Sequence, residues 1–366
     1  MTAKAYLVLE DGTVYEGDAF GAPTTTYGEV VFDTSMAGYQ EMLTDPSFAG
    51  QLLVLTYPLV GNYGINEVDD ESKHIQARGL VVREHCTTPS HFQSVETLDA
   101  YLTRQGIPGI AGLDTRALTR KLRSTGVMMG ILTSEMAPDE ALAQLRSAPP
   151  YSDQALANEV STNSEFSAPA AKADAPLHVV LIDCGVKQSI IRHLSAVGCR
   201  VTVVPPTTSA TRVRALSPDG VLLSPGPGDP VHLGALESTM RELLGAVPIM
   251  GICLGHQVVA RALGAGTFKL KFGHHGGNHP VRDVATGRVY ITTQNHGYAV
   301  DADTLPAGLE VSHINLNDGT VEGLRHREYP LISIQYHAEG TPGPADSSYL
   351  FHDFAALMTA HSPEAR

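Results

Sequence analysis

One cysteine in this sequence lies in a pattern typical of an activated nucleophile. Residues 247–263 read VPIMGICLGHQVVARAL, in which an apolar strand runs into Gly251-Ile-Cys253-Leu-Gly255 and a helix begins at once. The flanking glycines permit the sharp strand-to-helix turn of a nucleophile elbow, with Cys in the usual Ser position. The helix N-terminus behind the side chain favours the thiolate, which is the reactive form. The alternative is a buried structural cysteine, but such a residue needs no flanking glycines.

A thiol nucleophile needs a base, and the base needs a third group to hold it in place. Residues 331–340 read LISIQYHAEG, an apolar strand that ends in His337-Ala338-Glu339. Residues two apart on a strand point the same way, so Glu339 can orient His337 while His337 faces the thiol. The alternative is two surface polar residues where a strand ends. The catalytic interpretation is favoured because an α/β sheet has its sites at the carboxyl ends of its strands.

Hydrolysis of an amide also requires donors for the negative charge that develops on the carbonyl oxygen. Elbow geometry makes the backbone N–H of Leu254 the first donor. The second must come from a loop after a neighbouring strand, and residues 224–230, SPGPGDP, are such a loop. Its prolines have no N–H, so Gly226 and Gly228 are the available donors. A plain Gly/Pro turn is the alternative interpretation of this loop.

Two further polar stretches contain histidine. Residues 294–298, QNHGY, form a turn between apolar segments that could present backbone groups to the α-amino and carboxylate ends of a substrate; read alone, it is simply a turn. Residues 272–280, FGHHGGNHP, could suggest metal ligation through His274, His275 and His279. No carboxylate or thiolate lies nearby in the sequence to complete such a site, so we expect no metal.

The elements that must position these residues divide the chain into two halves and a linker. Residues 1–150 have the mixed α/β pattern of an N-terminal domain, including a helix that Asp114 can cap. Residues 151–176 are rich in Ser, Ala, Asn and Pro, as in NSEFSAPAAKADAP, which predicts a linker. In residues 177–366 short apolar strands alternate with helices. This pattern predicts a doubly wound, mainly parallel sheet with helices on both faces.

Composition and charge limit the classes of function. Apolar side chains make up 43% of the 366 residues, which is enough for packed domains. The formal net charge of -14 argues against nucleic acid or an anionic membrane surface as a partner. No stretch approaches the length of a transmembrane helix, and the N-terminus lacks the apolar core of a signal peptide. The cysteines are scattered without a disulfide-like spacing, so we expect reduced thiols and a cytoplasmic location; they are Cys86, Cys184, Cys199 and Cys253.

Taken together, the motifs resemble those of a known family. GICLGHQ, SPGPGDP, QNHGYAV and the His337–Glu339 pair look like the class I, triad-type glutamine amidotransferase domain, over about residues 178–366. FDTSMAGYQEMLTDPS, LTYPLVGNYGIN, GLDTRALTRKLR and KFGHHGGNHPV resemble the carbamoyl-phosphate synthase small chain over nearly its whole length. The resemblance implies an N-terminal small-chain domain that binds a partner, followed by the amidotransferase domain.

The resemblance also implies a role for each candidate site residue. Cys253 is then the nucleophile, His337 the base and Glu339 the group that orients the base. Gly226 and Leu254 form the oxyanion hole, and glutamine contacts are implied at Ser47, Gly226, Gly228, Leu254, Gln257, Asn295, Gly297 and Tyr298. The family's usual H-P-E-A is HAEG at residues 337–340, so a stiffening proline is replaced while both triad side chains are kept.

The resemblance further implies a partner chain. Neither G-x-x-x-x-G-K-[ST] nor G-x-G-x-x-G occurs, so we expect no ATP site and no cofactor on this chain. Ammonia released into water would mostly take up a proton and lose its nucleophilicity, so a second chain must use it. The implied partner is the large synthase chain, which carries ATP and Mg and makes carbamoyl phosphate from bicarbonate for arginine and pyrimidine synthesis.

The sequence therefore predicts a glutamine-hydrolysing subunit that works in a heterodimer or in an assembly of heterodimers. Two alternatives remain. The chain could serve a different synthetase, against which the motifs in residues 1–150 argue. It could instead be a non-catalytic scaffold for the large chain, against which the retained Cys253, His337 and Glu339 argue.

Overall fold

A computed structural model describes residues 3–168 and 175–361. The chain divides into two compact units. Unit 1 comprises Met1–Leu156 together with Lys271–Gly276, and unit 2 comprises Ala157–Leu270 together with Gly277–Arg366. The short second stretch of unit 1 therefore interrupts the sequence of unit 2.

Unit 1 is built on a closed β-barrel. Its strands are Lys4–Leu9 (β1), Val14–Gly21 (β2), Thr26–Asp33 (β3), Gln51–Leu55 (β4), Leu59–Val60 (β5), Gly79–Val81 (β6), Glu84–His85 (β7), Pro108–Ala111 (β8) and Met128–Thr133 (β9). The barrel order is β1-β2-β8-β6-β4-β3-β9, and β5 pairs with β7. Antiparallel pairing of β1 with β9 closes the ring. Leu7, Leu52 and Leu132 are among the buried side chains of one barrel core.

In the described part of unit 1, helices lie between these strands and after the last of them: Tyr39–Thr44 (α1), Leu98–Gln105 (α2), Thr115–Thr125 (α3) and, after β9, Pro138–Ser147 (α4). The carboxylate of Asp114 accepts a hydrogen bond from the Ala117 N–H at 3.0 Å and so caps α3, as the sequence predicts. A 3-10 helix at Pro46–Phe48 precedes β4. Helices are interspersed among the strands of this half, which confirms the mixed α/β prediction for it.

Unit 2 is built on one large sheet. Its strands are Phe166–Ser167 (β10), Leu177–Ile182 (β11), Cys199–Val204 (β12), Gly220–Leu223 (β13), Ile249–Ile252 (β14), Thr267–Asp283 (β15), Val289–Val300 (β16), Leu309–Asn315 (β17), Val321–His326 (β18) and Leu331–Ile334 (β19). The order is β10-β12-β11-β13-β14-β19-β18-β17-β15-β16. The pairs from β12 to β19 are parallel, whereas β10, β18 and β17 pair antiparallel with their neighbours.

Helices cover both faces of this sheet. They are Leu156–Val160 (α5), Gln188–Ala196 (α6), Ala210–Ala215 (α7), Gly234–Leu243 (α8), Leu254–Leu263 (α9) and Tyr349–Ala360 (α10). Val180 and Ile182 of β11 belong to the apolar cluster that contains α7, α8 and α9. The alternate residues Val179 and Leu181 belong to the cluster that contains α6 and α10. Because successive strand residues point to opposite faces, β11 is buried on both sides. The predicted doubly wound arrangement is confirmed.

The segment predicted as a linker, residues 151–176, contains regular structure in its described part. A 3-10 helix spans Tyr151–Asp153, α5 follows, and β10 pairs with β12. Tyr151 and Leu156 are buried, so apolar side chains within the polar composition anchor this segment. Residues 169–174 of the predicted linker lie outside the described residues.

Among the described residues, no helix is both long enough and apolar enough to cross a lipid bilayer.

Candidate active site

Cys253 lies at the turn between β14 and α9. Its backbone has φ 53° and ψ -106°, a combination that residues with side chains rarely adopt. The Cys253 N–H donates to the Ile334 carbonyl oxygen at 2.8 Å, which ties the turn to β19. The side chain is buried, and its thiol donates to the Asn295 carbonyl oxygen at 3.6 Å. The cysteine thus has the strained strand-to-helix geometry that the G-x-C-x-G pattern predicts.

The two flanking glycines are required by close backbone packing. A Cβ atom added at Gly251 would lie 2.8 Å from the Gly255 carbonyl oxygen. One added at Gly255 would lie 2.4 Å from the Leu223 carbonyl oxygen at the end of β13. Real Cβ atoms are not found this close to backbone oxygen, so any larger residue would move α9 away from the sheet. The glycines therefore set the position of Cys253 relative to the carboxyl ends of the strands.

His337 and Glu339 follow the carboxyl end of β19 and form a buried pair. His337 Nδ1 lies 2.6 Å from Glu339 Oε1, and both side chains are fully buried. The His337 N–H donates to the Thr293 carbonyl oxygen of β16 at 2.9 Å. Because Glu339 engages Nδ1, Nε2 is the ring nitrogen left to exchange a proton with a thiol. Glu339 therefore fixes both the orientation and the tautomer of the imidazole.

The electrostatics of this pair favour a charged imidazole. Burial disfavours the imidazolium, but the Glu339 carboxylate and the Cys253 side chain outweigh it and raise the pKa of His337 from 6.5 to about 10. Burial also works against the Glu339 carboxylate, yet Lys187 and His337 hold the pKa of Glu339 well below its usual range. A proton taken from the thiol is therefore held well by His337.

Lys187 completes the charged group, although no motif in the sequence marks it as a site residue. It lies just before α6, is fully buried, and places Nζ 3.0 Å from Glu339 Oε1. Nζ also donates to the Thr341 carbonyl oxygen. A buried ammonium needs such partners, because desolvation of a lone charge is costly. The one available signal was its position after the carboxyl end of β11, the same sheet edge that carries the other site residues.

The two predicted oxyanion donors lie close together. Leu254 is the first residue of α9, so its N–H has no acceptor within the helix. A Cβ atom at Gly226 would lie 3.0 Å from the Leu254 side chain and 2.0 Å from the Cys184 carbonyl oxygen. Only glycine fits at that position. Gly228 has φ 89°, so it too has a conformation that favours glycine.

The residues implied in glutamine binding within unit 2 surround the same turn. The Gln257 side-chain amide donates to the Tyr298 carbonyl oxygen at 2.8 Å and to Gln335 Oε1 at 3.0 Å. Both amide hydrogens of Gln257 are thereby used, so any further contact must go through its Oε1. At Gly297 an added Cβ would meet no atom within 4 Å, so the backbone there borders open space. Asn295, as described above, contacts the thiol directly.

Ser47 belongs to unit 1. The Asp45 side chain accepts from the Ser47 N–H at 2.8 Å and supplies the cap of the 3-10 helix. Ser47 itself is buried, and its Oγ has no hydrogen-bond partner within the part of the chain that the structure describes. A buried hydroxyl without a partner is costly and is suited to a ligand. The contact of Ser47 with glutamine stays a prediction.

Comparisons with known proteins agree with these observations. Residues 180–357 match the family described as glutamine amidotransferase class-I, and residues 7–132 match the carbamoyl-phosphate synthase small chain, CPSase domain. The carbamoyl phosphate synthase small chain of Symbiobacterium thermophilum is 49% identical over 98% of this chain and 99% of its own length. That of Fusobacterium nucleatum is 53% identical over 95% of this chain and 96% of its own length.

A solved structure of a glutamine amidotransferase from Thermotoga maritima is 18% identical to this chain, covers 52% of this chain and 91% of its own length, and has a TM-score of 0.37. A likeness at that level carries no argument.

Proposed function

Since this chain belongs to the carbamoyl phosphate synthase small chain family, we propose that it hydrolyses glutamine at Cys253 and delivers the ammonia to a large synthase chain. Family membership makes it the glutamine amidotransferase subunit of such an enzyme. The match of residues 7–132 to the small-chain domain argues against an amidotransferase of another synthetase. The observation that carries the catalytic proposal is the Cys253 turn beside the buried His337–Glu339 pair.

The first half of the proposed reaction forms a thioester. His337 takes the thiol proton, and the Cys253 sulfur attacks the side-chain amide carbon of glutamine. The backbone N–H groups of Gly226 and Leu254 stabilise the charge on the carbonyl oxygen. His337 then gives its proton to the leaving nitrogen, and the carbon–nitrogen bond breaks to release ammonia. Between these two proton transfers Glu339 stabilises the His337 imidazolium, and Glu339 is itself held by an ion pair with Lys187.

The second half frees glutamate. His337, now neutral, takes a proton from water, and the resulting hydroxide attacks the thioester carbonyl carbon. The same backbone donors hold the oxyanion, and the carbon–sulfur bond breaks. The proton on His337 returns to the sulfur, which restores the starting state. Glutamine binding by Ser47, Gly228, Gln257, Asn295, Gly297 and Tyr298 belongs to the same proposal.

The partner in this proposal is a large chain that carries ATP and Mg and makes carbamoyl phosphate from bicarbonate and the delivered ammonia. We place no cofactor on the present chain. The proposed assembly is a heterodimer or a set of heterodimers, located in the cytoplasm, where bicarbonate and ATP are available. The family and its relatives are named as small chains of carbamoyl phosphate synthase, and that name supports a large chain as the partner.

The test uses the full-length chain in complex with the large chain that co-purifies with it. Carbamoyl phosphate formation is measured with glutamine and, separately, with ammonium as nitrogen source. Cys253→Ser is expected to abolish the glutamine-dependent reaction and to leave the ammonium-dependent one intact, because the ATP chemistry lies on the other chain. Substantial glutamine hydrolysis by Cys253→Ser would reject the assignment of the nucleophile.

A further inference from the structure

The two residues that we assign as base and orienter lie outside regular secondary structure. The last strand of the sheet, β19, ends at Ile334, and α10 begins at Tyr349. His337 and Glu339 lie between them, in a segment whose one strand-type contact among the described residues is an isolated antiparallel bridge between His337 and Thr293. A catalytic side chain must be held within a fraction of an ångström of its working position. The loop therefore needs anchors from other elements.

One residue of β16 bonds this loop on both sides of Glu339. The Thr293 carbonyl oxygen accepts the His337 N–H at 2.9 Å. The Thr293 hydroxyl donates to the Pro342 carbonyl oxygen at 3.0 Å. The side chain also packs tightly against the loop, because a Cβ atom at Gly343 would lie 1.9 Å from Thr293 Oγ1. Thr293 is itself buried, at 6% exposure, within a strand of the sheet.

We propose that Thr293 is a positioning residue for the triad, and that its hydroxyl holds the loop so that His337 and Glu339 keep their alignment with Cys253. This inference rests on the proposed function. The backbone bond fixes the start of the loop, and any residue at position 293 could make it. The hydroxyl bond fixes the far end, and a side chain without a hydroxyl cannot make it. Lys187, which donates to the Thr341 carbonyl oxygen, is the neighbouring anchor on the same stretch.

Loss of this hydroxyl should affect turnover more than binding. Thr293→Val keeps the shape of the side chain but leaves the Pro342 carbonyl oxygen without its donor. The loop end then shifts, and with it the imidazole that transfers the proton. The residues proposed to bind glutamine lie outside this loop. Those on β16 with Thr293, namely Asn295, Gly297 and Tyr298, keep their backbone in Thr293→Val, so the affinity for glutamine should change little. A change in kcat without a change in KM is the signature of a group that acts only on the transition state.

The experiment compares three variants of the full-length chain in glutamine hydrolysis. Thr293→Val is expected to lower kcat by about tenfold with KM changed by less than about twofold. Thr293→Ser restores the hydroxyl and should recover most of the lost kcat. The matched control is Thr292→Val: the Thr292 hydroxyl is also buried and donates to a backbone carbonyl, that of His279, at 3.0 Å. The Thr292 hydroxyl also accepts from the Gln294 side-chain amide at 3.1 Å. Neither of these two bonds reaches the triad loop, so the kcat of Thr292→Val should stay near that of the parent chain.

The outcomes separate positioning from general stability. Equal losses of kcat in Thr293→Val and Thr292→Val, or a rise in KM alone, would overturn the proposal, and so would a failure of Thr293→Ser to recover activity. If Thr293→Val does not fold, Thr293→Ala removes the same hydroxyl and is judged by the same criteria.

Cys253→Ala is assayed in parallel, to separate this inference from the proposed function. Hydrolysis retained in Cys253→Ala overturns the proposed function and this inference with it. An inactive Cys253→Ala beside a fully active Thr293→Val overturns this inference alone.

Discussion

Two cysteines of unit 2 occupy similar places in the fold and differ in almost everything that matters for reactivity. Cys184 follows the carboxyl end of β11, and Cys253 follows the carboxyl end of β14, a parallel strand of the same sheet. Their exposures are 0% and 1%. Neither burial nor position at the sheet edge therefore distinguishes a structural cysteine from a nucleophile.

The two cysteines differ in their backbone conformation and in the groups that surround the thiol. Burial, with help from the charge of Asp183, raises the pKa of the Cys184 thiol well above its usual range, so this thiol stays protonated. Its backbone is used for packing: the N–H donates to Ser224 Oγ at 2.8 Å, and the carbonyl oxygen lies against Gly226. Cys253 instead has a strained turn, a helix N-terminus and the His337 ring beside it. Reactivity follows from these neighbours, because only they stabilise charge transfer from the thiol.

The largest effect is expected from exchanging the two cysteines for alanine. Cys253→Ala should lower kcat for glutamine hydrolysis by about 10⁴-fold or more, since no other group can form the thioester. Cys184→Ala removes only a buried sulfur and should leave kcat within about threefold of the parent chain, at a modest cost in stability. Both are measured as glutamate released by the purified chain. Comparable losses in the two variants would end the distinction drawn above.

The next effect concerns the orienting carboxylate. Glu339→Gln is expected to lower kcat by roughly 10²- to 10⁴-fold, because the imidazolium loses its stabilising charge and the ring its fixed tautomer. The same substitution in the Cys253→Ala background should cause no further loss, since residues that act as a unit are not additive. Steady-state rates of the single and double variants provide the check. An additive loss would place Glu339 outside the triad.

Glu339→Gln should also change the pH dependence of stability. The folded pKa of His337 is raised from 6.5 to about 10, so its stabilising contribution is full below pH 6.5 and is lost as the pH rises toward 10. The lowered pKa of Glu339 acts in the opposite sense: its contribution is present above its ordinary value of 4.5 and is lost in more acid solution. The stability difference between parent and variant should therefore be largest between pH 4.5 and 6.5 and shrink toward pH 10. Urea unfolding at several pH values measures it.

Gly226 lies between the backbone of Cys184 and the residue that follows Cys253. Its substitution therefore tests the oxyanion donor separately from the thiol. A side chain at this position would meet the Cys184 carbonyl oxygen and the Leu254 side chain. Gly226→Ala should displace one oxyanion donor and lower kcat by about 10²- to 10³-fold, with the thiol still present. Alkylation of Cys253 by iodoacetamide should proceed at nearly the parent rate, since the thiol and His337 are untouched. An equal fall in alkylation and hydrolysis would mean that the variant disturbs the whole turn.

The smallest effect is expected in unit 1, at Ser47. Its hydroxyl is buried, and the proposed function gives it glutamine as its hydrogen-bond partner. Ser47→Ala should raise KM for glutamine by about 10- to 150-fold, the cost of one hydrogen bond to a charged group. Its kcat should change little, because the contact is to the non-reacting end of the substrate. An unchanged KM would remove Ser47 from the glutamine site.

Local patterns explain what the sequence could predict. The turn at Cys253, the spacing of His337 and Glu339 and the cap at Asp114 each depend on residues fewer than about ten positions apart, and period and turn chemistry are informative over that range. The alternation of apolar strands and helices likewise predicts a doubly wound sheet. For this reason the fold class and the geometry around the thiol follow closely from the chain itself.

Long-range contacts explain what the sequence could not predict. Lys187 meets Thr341 across 154 positions, and Thr293 meets Pro342 across 49. No local sequence pattern identifies Lys187 or Thr293, because the order of the strands in the sheet determines which distant residue each of them contacts. The closed barrel of unit 1 could not be predicted either, because it depends on the pairing of β1 with β9, two strands that are far apart in the sequence. Composition also misses the role of single apolar residues, as with Tyr151 and Leu156 in the predicted linker.

The proposed reaction depends most directly on a covalent bond between Cys253 and the substrate. The full-length chain is mixed with glutamine and quenched in acid, which traps a thioester, and its cysteine-containing peptides are identified by mass spectrometry. A glutamyl adduct is predicted on the peptide that carries Cys253, and the peptides that carry Cys86, Cys184 and Cys199 should be unmodified. The adduct should vanish in Cys253→Ala. Continued glutamine hydrolysis with an adduct on another cysteine, or with hydrolysis surviving in Cys253→Ala, would contradict the account.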